Sequence, residues 1–192
     1  MVAREPRFIW LNESEERGLL RSSLQGNRQA FLALADHYVK PVYRLAFALT
    51  RDREAAAGIA REAFGRAWYG LKGIPEEKRF FPWVLHLARN LSVAYARRHA
   101  GVPSRHPEMP ADLSAEEREE ILLEQATREA LRALRPDEQT ALALRVVERL
   151  PHEQIGMLLD QPSVIALSRL SSARGYLLQR VIGVVGKDEG AA

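Results

Sequence analysis

The side chains best suited to chemistry are arginines near the C-terminal end of this 192-residue chain. Arg169, Arg174 and Arg180 recur along one predicted helix and lie off the apolar stripe that this helix would bury. Cationic side chains of this kind hold the phosphates of nucleic acids. The chemistry that the sequence indicates is therefore the binding of a polyanion.

Patterns for catalysis or metal binding are missing from the sequence. The histidines form no ligand-like cluster, and Gly156 stands where the zinc motif that begins His152-Glu153 needs its second histidine. The absence of cysteine removes disulfides and thiolate chemistry, and it is typical of proteins of a reducing cytoplasm. We predict a protein that is not an enzyme and that binds no cofactor and no metal.

The composition is that of an ordinary globular protein, with 46% hydrophobic and 28% charged residues. Lysine and arginine exceed aspartate and glutamate by only 28 to 25, so any nucleic-acid surface has to be local. No apolar run approaches the roughly 20 residues of a membrane span. The charged N-terminus, Met1 to Gly18, differs from a secretory signal, and we expect a cytoplasmic protein without membrane insertion.

Apolar residues recur at spacings of three and four along the chain, which predicts an all-α fold. Asn27 and Asp52 stand where N-caps are expected. Pro41 is expected to interrupt or kink the helical run around it. In the first half of the chain the pattern predicts helices at 15–24, 30–49, 53–71 and 82–98.

A change of composition marks a linker, because Gly101 and three prolines lie close together with few large apolar residues between them. Ser114 then stands as the cap of a new helix, with Glu117 three residues further on. We therefore predict two small helical domains joined by a flexible linker. The expected division is an N-terminal extension at 1–25, a first domain at 26–99, the linker at 100–113, a second domain at 114–184 and a tail at 185–192.

The second domain ends in the outline of a helix-turn-helix. Pro136 suits the first turn of one helix, and a short helix is predicted at 154–159. Asp160 tolerates the left-handed backbone that a tight turn needs. A longer helix from Ser163 to about Ile182 follows, and in such a module the second helix commonly enters the DNA major groove.

Two sets of motifs resemble those of one protein family, the bacterial extracytoplasmic-function (group 4) sigma factors. The second domain resembles region 4 of these proteins through LRPDEQ at 134–139, LPHEQI at 150–155 and SRLSSAR at 168–174. The first domain resembles region 2 through GNRQAF at 26–31, EAFGRAW at 62–68 and WVLHLARN at 83–90. The order and spacing of these motifs extend the resemblance over nearly the whole chain outside the tails and the linker.

This resemblance implies a factor for promoter-specific transcription initiation. Region 2 would bind core RNA polymerase and the −10 promoter element, region 4 would bind the −35 element, and an anti-sigma factor is a further partner. The residues that the resemblance assigns to DNA binding are Arg89, Asn90, Arg97, Arg98, Ser163, Ser168, Arg169 and Arg174. Those that it assigns to polymerase binding are Arg53, Glu54, Glu62 and Arg66.

Three places depart from the family pattern. Ala56-Ala57-Gly58 replaces an acidic pair near the polymerase contact, Ala94 replaces an acidic residue, and Leu167 stands at a lysine position of the recognition helix. Two alternatives therefore stay open. One is a diverged sigma-like regulator that acts by protein contact, and the other is a helix-turn-helix regulator that binds duplex DNA as a dimer.

Overall fold

The first half of the chain forms a bundle of four helices, in a computed structural model that describes residues 10–74, 79–99 and 114–188. The all-α prediction is confirmed. The side chains of Leu34, Tyr38, Phe80 and Phe81 are almost fully buried at the centre of this bundle. Its elements are α1 (Glu13–Leu24), α2 (Arg28–Thr50), α3 (Arg53–Gly70), a short 3₁₀ helix (Leu71–Gly73) and α4 (Phe80–Arg98).

Local side chains set where the helices begin. The carboxamide of Asn27 and the carboxylate of Asp52 accept the N–H groups two and three residues ahead, at 2.9 to 3.2 Å, so both predicted N-caps are confirmed. By contrast, α2 continues through the buried Pro41 as one helix, and no interruption occurs there. Packing on both sides of the proline outweighs the one backbone hydrogen bond that its ring removes.

Residues 114–188 form four more helices. One of them, α8, packs against the other three. It continues past the predicted end near Ile182 and into the segment that we assigned to a tail. The helices are α5 (Ala115–Ala133), α6 (Pro136–Val146), α7 (His152–Leu158) and α8 (Ser163–Asp188).

The turn between α7 and α8 has the geometry of a helix-turn-helix. Asp160 has a φ of 54°, which confirms the predicted left-handed turn position. A Cβ at Gly156 would lie 2.8 Å from the carbonyl oxygen of Gln161 and 3.0 Å from the Cα of Ser163. Only glycine therefore allows α7 and the start of α8 to approach this closely.

The two bundles share one apolar core. Helix α6 packs against α2, and α7 packs against α4, so Leu144, Leu150 and Ile155 join the buried cluster of the first bundle. Helix α1, which we placed in an N-terminal extension, also packs against α2. The linker that we predict at 100–113 lies outside the described residues, and the domain boundaries remain predictions.

Candidate nucleic-acid interface

A cleft between the two bundles brings together several residues that the sequence assigns to DNA binding. Arg89, Asn90 and Arg97 of α4 line one side of this cleft, and Arg135 and Asp137 line the other. Its volume is about 530 Å³. Three guanidinium groups thus face one space, as a surface that binds phosphates requires.

Asp137 binds two of the predicted DNA-binding arginines, one from each bundle. Its Oδ1 accepts a hydrogen bond from Nη2 of Arg89, and its Oδ2 lies 3.0 Å from Nη2 of Arg169. Arg89 also donates to Oδ1 of Asn90 at 3.2 Å. The side chains of Arg89 and Arg169 are only 22% and 25% exposed. In this closed arrangement Asp137 engages Nη2 of both arginines, and its negative charge opposes the approach of a phosphate.

The first turn of α6 explains why Asp137 stands in this place. Pro136 occupies the first turn as predicted, and the Glu138 carboxylate turns back to accept the backbone N–H of Arg135 at 3.0 Å. The Arg135 guanidinium, 2.7 Å from Glu138, holds the pKa of the Glu138 carboxyl below its usual value. Asp137 lies beside this cap, where the positive end of the helix dipole favours a carboxylate.

A second ion pair, between Arg44 of α2 and Glu148, also joins the two bundles. Sequence reasoning missed Arg44, Asp137 and Glu148, because each owes its contact to the docking of one bundle on the other. A basic residue in α2 and acidic residues beside α6 were visible in the sequence, but nothing local paired them.

The last turn of α4 presents Arg97 and Arg98 to solvent. Arg98 donates from Nε to the carbonyl oxygen of Ala94 at 3.4 Å, a contact within its own helix. Both cations lie where they interact favourably with the C-terminal end of the helix dipole. Their exposure leaves them available for a phosphate, and that role remains a prediction from the sequence.

The recognition helix α8 divides its predicted DNA-binding residues between two places. Ser163, Ser168 and Arg174 are exposed, whereas Arg169 turns toward Asp137 and is half-buried. Ala166 and Ala173 are fully buried and fix the orientation of the helix. The four residues that the sequence assigns to DNA binding on α8 therefore do not form a single surface.

The four residues assigned to polymerase binding all lie on the exposed side of α3. Glu62 and Arg66 pair with each other at 2.5 Å, one helical turn apart, and both are about half exposed. Arg53 and Glu54 are exposed in the first turn. The adjacent groove between α2 and α3 is apolar at its floor and is lined by Lys40, Tyr43, Arg44, Arg61 and Phe64, among others.

Within the described segments, no group of three or more histidine, aspartate or glutamate side chains is arranged to hold a metal ion. Every helix in those segments falls short of the length or apolar character that a bilayer span requires. The polar chemistry of the described surface is that of ion pairs and exposed arginines.

Comparison with known proteins agrees with this geometry. The sequence profile of sigma-70 region 2 matches residues 34–102. A protein described as a probable RNA polymerase sigma factor, RfaY of Xanthomonas campestris, is 33% identical over 168 residues, which cover 81% of this chain but only 42% of RfaY. The extracytoplasmic-function (ECF) RNA polymerase sigma factor SigW of Bacillus subtilis is 24% identical over 171 residues, 82% of this chain and 91% of SigW.

The fold is also shared with a solved structure. CnrH, solved in complex with the cytosolic domain of CnrY, matches with a TM-score of 0.64 at 15% identity, over 88% of this chain and 98% of CnrH. This structural match shows a shared all-helical fold. Residues 34–102 match sigma-70 region 2, and the similarity to RfaY and SigW supports the resemblance of the motifs to extracytoplasmic-function sigma factors.

Proposed function

We propose that this protein is an RNA polymerase sigma factor of the extracytoplasmic-function type. The observation that carries the proposal is the order of two units in one chain, a bundle that matches sigma-70 region 2 followed by a helix-turn-helix domain. Agreement with SigW over 91% of its length supports the same order. The protein acts in the cytoplasm by binding, and it supplies no catalysis of its own.

The two domains divide the work. Exposed residues of α3, Arg53, Glu54, Glu62 and Arg66, bind core polymerase. The first domain also binds the −10 element through α4, where Arg97 and Arg98 hold phosphates of the opened strands. The second domain places α8 in the major groove of the −35 element.

Separation of the two bundles would free Arg89 for DNA, because the pair between Arg89 and Asp137 joins the bundles, whereas the pair between Asp137 and Arg169 lies within the second bundle. Core polymerase supplies the binding energy for this separation. An anti-sigma partner that favours the closed arrangement would keep the factor inactive.

Two measurements test the proposal. The first is co-elution of the purified chain with core polymerase on a sizing column, and the second is run-off transcription from promoters selected by the resulting complex. Co-elution with promoter-dependent transcripts is the expected result. If neither the wild-type chain nor its Asp137→Ala variant binds core polymerase at micromolar concentration, the proposal is wrong.

A second candidate is a diverged sigma-like regulator that acts by protein contact. It is favoured by the start of α3, where Ala56-Ala57-Gly58, of which Ala56 is fully buried, stands in place of an acidic pair, and by the neighbouring groove, which Lys40 and Arg61 line. Such a protein would bind core polymerase or another partner without supporting any promoter-dependent transcript. Run-off transcription therefore separates the two candidates.

A further inference from the structure

The first two turns of α8 expose apolar side chains where a recognition helix meets DNA. The segment SVIALS at 163–168 contains no charged residue and no carboxamide. Val164 is 64% exposed, Ile165 41% and Leu167 47%, while Ala166 between them is fully buried. The helix packs through the alanine, so these three larger side chains are left for a partner.

Side chains that read purines are withdrawn from this end of the module. Arginine, lysine, asparagine and glutamine read purine edges by paired hydrogen bonds. Gln154 and Gln161 flank the turn, but Oε1 of the first and Nε2 of the second are buried. Arg169, the nearest guanidinium on α8, is bound to Asp137. The exposed surface at the start of α8 therefore offers methyl groups and two serine hydroxyls.

Cations lie beside this apolar surface. Leu167 lines a mainly leucine-walled groove that Arg145 of α6 and Arg174 of α8 border; both arginines are exposed, and Arg145 donates from Nη1 to the carbonyl oxygen of Leu150 at 3.1 Å. The arrangement suits duplex DNA, because the arginines can meet phosphates while the apolar side chains reach between them into the groove. A purely apolar protein partner would offer no anion to the exposed Arg174.

We infer that α8 recognises thymine C5-methyl groups through Val164, Ile165 and Leu167. Thymine is the base whose major-groove edge carries a methyl group, and an apolar side chain in contact with it removes both from water. The upstream element would then present thymines at the positions that these side chains face. This inference rests on the proposed function and names the DNA sequence class that α8 selects.

The test uses the full chain in complex with core polymerase. The complex selects duplexes from a library randomised at the upstream element, and the selected duplexes are then made again with uracil in place of thymine there. Uracil lacks only the methyl group. We expect thymine-rich selected sequences and a loss of affinity of roughly fourfold for each contacted methyl removed. Equal affinity for the two duplexes would overturn the inference while leaving the proposed function intact.

Matched variants assign the effect to α8. Val164→Ala should reduce the difference between thymine and uracil duplexes, whereas Val146→Ala, an equally exposed valine of α6 at 65% against 64%, should leave it unchanged. Leu167→Lys should also lose the methyl effect and shift selection toward guanine, which lysine reads. A complex that initiates transcription without selecting any upstream sequence would overturn the inference and assign the patch to a protein contact. Failure to bind polymerase would instead contradict the proposed function.

Discussion

Arg44 of α2 and Glu148, which follows α6, form a two-pronged ion pair between the helical domains. Nε of Arg44 lies 2.5 Å from Oε1 of Glu148, and Nη2 lies 2.6 Å from Oε2. The Glu148 side chain is 3% exposed and that of Arg44 is 26% exposed. A carboxylate so far from water depends on its partner, because an unpaired buried charge is strongly unfavourable. The buried carboxylate of Glu148 therefore depends on one guanidinium.

Arg44→Ala should weaken the closed arrangement. The remaining carboxylate regains water only if the domains separate, so we expect a larger radius of gyration by small-angle scattering. The free energy of unfolding should fall by about 3 kcal/mol, the lower end of the range for a broken buried pair, because Arg44 is partly solvated. Urea unfolding of the full chain measures this change.

Arg66→Ala is the control, because it breaks the exposed pair with Glu62, whose partners are 57% and 50% exposed. An exposed pair of this kind contributes less than about 1 kcal/mol. Equal losses for Arg44→Ala and Arg66→Ala would show that the buried pair does not hold the domains together.

Asp137→Ala should tighten non-specific DNA binding. The substitution releases Arg89 and Arg169, two cations that the closed arrangement keeps on a carboxylate. Each released arginine that meets a phosphate steepens the salt dependence of binding by about 0.9 in log–log slope. Fluorescence anisotropy with a random duplex at several salt concentrations would show tighter binding and a slope steeper by about 1 to 2.

Glu124→Ala is the matched control for net charge. Glu124 pairs with Arg128 on the exposed side of α5, with 69% of its side chain exposed, and its loss changes the charge by the same amount. If both variants bind DNA equally well, the gain comes from net charge alone, and the carboxylate of Asp137 does not mask the two arginines.

Gly156→Ala should damage the helix-turn-helix. The new methyl group would meet backbone atoms of Gln161 and Ser163 at 2.8 and 3.0 Å, which no side-chain movement relieves. We expect a loss of about 1–3 kcal/mol in unfolding free energy, as for other overpacked sites. Gly175→Ala on α8, which has no other atom within 4 Å of the added methyl, should stabilise the helix by about 0.5–1 kcal/mol. If thermal unfolding shows Gly156→Ala to be more stable than Gly175→Ala, the prediction is wrong.

Local sequence predicted the features of the fold that depend on local interactions. Asn27, Asp52 and Asp160 act within a few residues of themselves, and each occupies its predicted cap or turn position. The long amphipathic helices were also predictable, because their apolar spacing repeats over many turns. Pro41 shows the limit of local reasoning. A local rule predicts an interrupted helix there, but tertiary packing keeps α2 helical on both sides of the proline.

Glu16 shows why the rest could not be predicted. Its side chain is 2% exposed and accepts from the Tyr38 hydroxyl at 2.6 Å, the Arg79 guanidinium at 2.7 Å and the backbone N–H of Phe80 at 2.7 Å. A glutamate of α1 thereby caps α4, although the two are 64 residues apart in sequence. The site has the same character, because Asp137 joins arginines from two domains that no spacing rule connects.

Stability should fall in acid partly through Asp52. The N–H of Ala55, followed by the Tyr95 hydroxyl at 2.7 Å, lowers the pKa of the Asp52 carboxyl below its ordinary 3.8. The unfolded chain then binds the proton more readily, so this contribution is present above pH 3.8 and is lost as the pH falls through the lowered pKa. Urea midpoints at pH 6 and pH 3 measure the loss.

Tyr95→Phe isolates this effect. The variant removes one of the hydrogen bonds that favour the charged carboxylate of Asp52, so its unfolding free energy should change less between pH 6 and pH 3. Asp52→Asn keeps a side chain that caps helices well and should reduce the pH dependence further. If both variants lose as much unfolding free energy between pH 6 and pH 3 as the wild-type chain does, groups other than Asp52 cause the acid sensitivity.

Arg97→Ala combined with Arg98→Ala should weaken promoter opening. Both side chains are exposed in the last turn of α4, next to the cleft that Arg89 and Arg97 line. If they hold phosphates of the opened strands, the double variant should form open complexes more weakly, with a salt slope shallower by about 1 to 2. Permanganate footprinting of the promoter at several salt concentrations would measure both quantities.

The control, Arg17→Ala with Arg21→Ala on α1, removes the same charge from the same bundle and should leave the slope unchanged. An unchanged slope for the α4 variant would remove Arg97 and Arg98 from the DNA-binding surface and leave them as partners of the helix dipole.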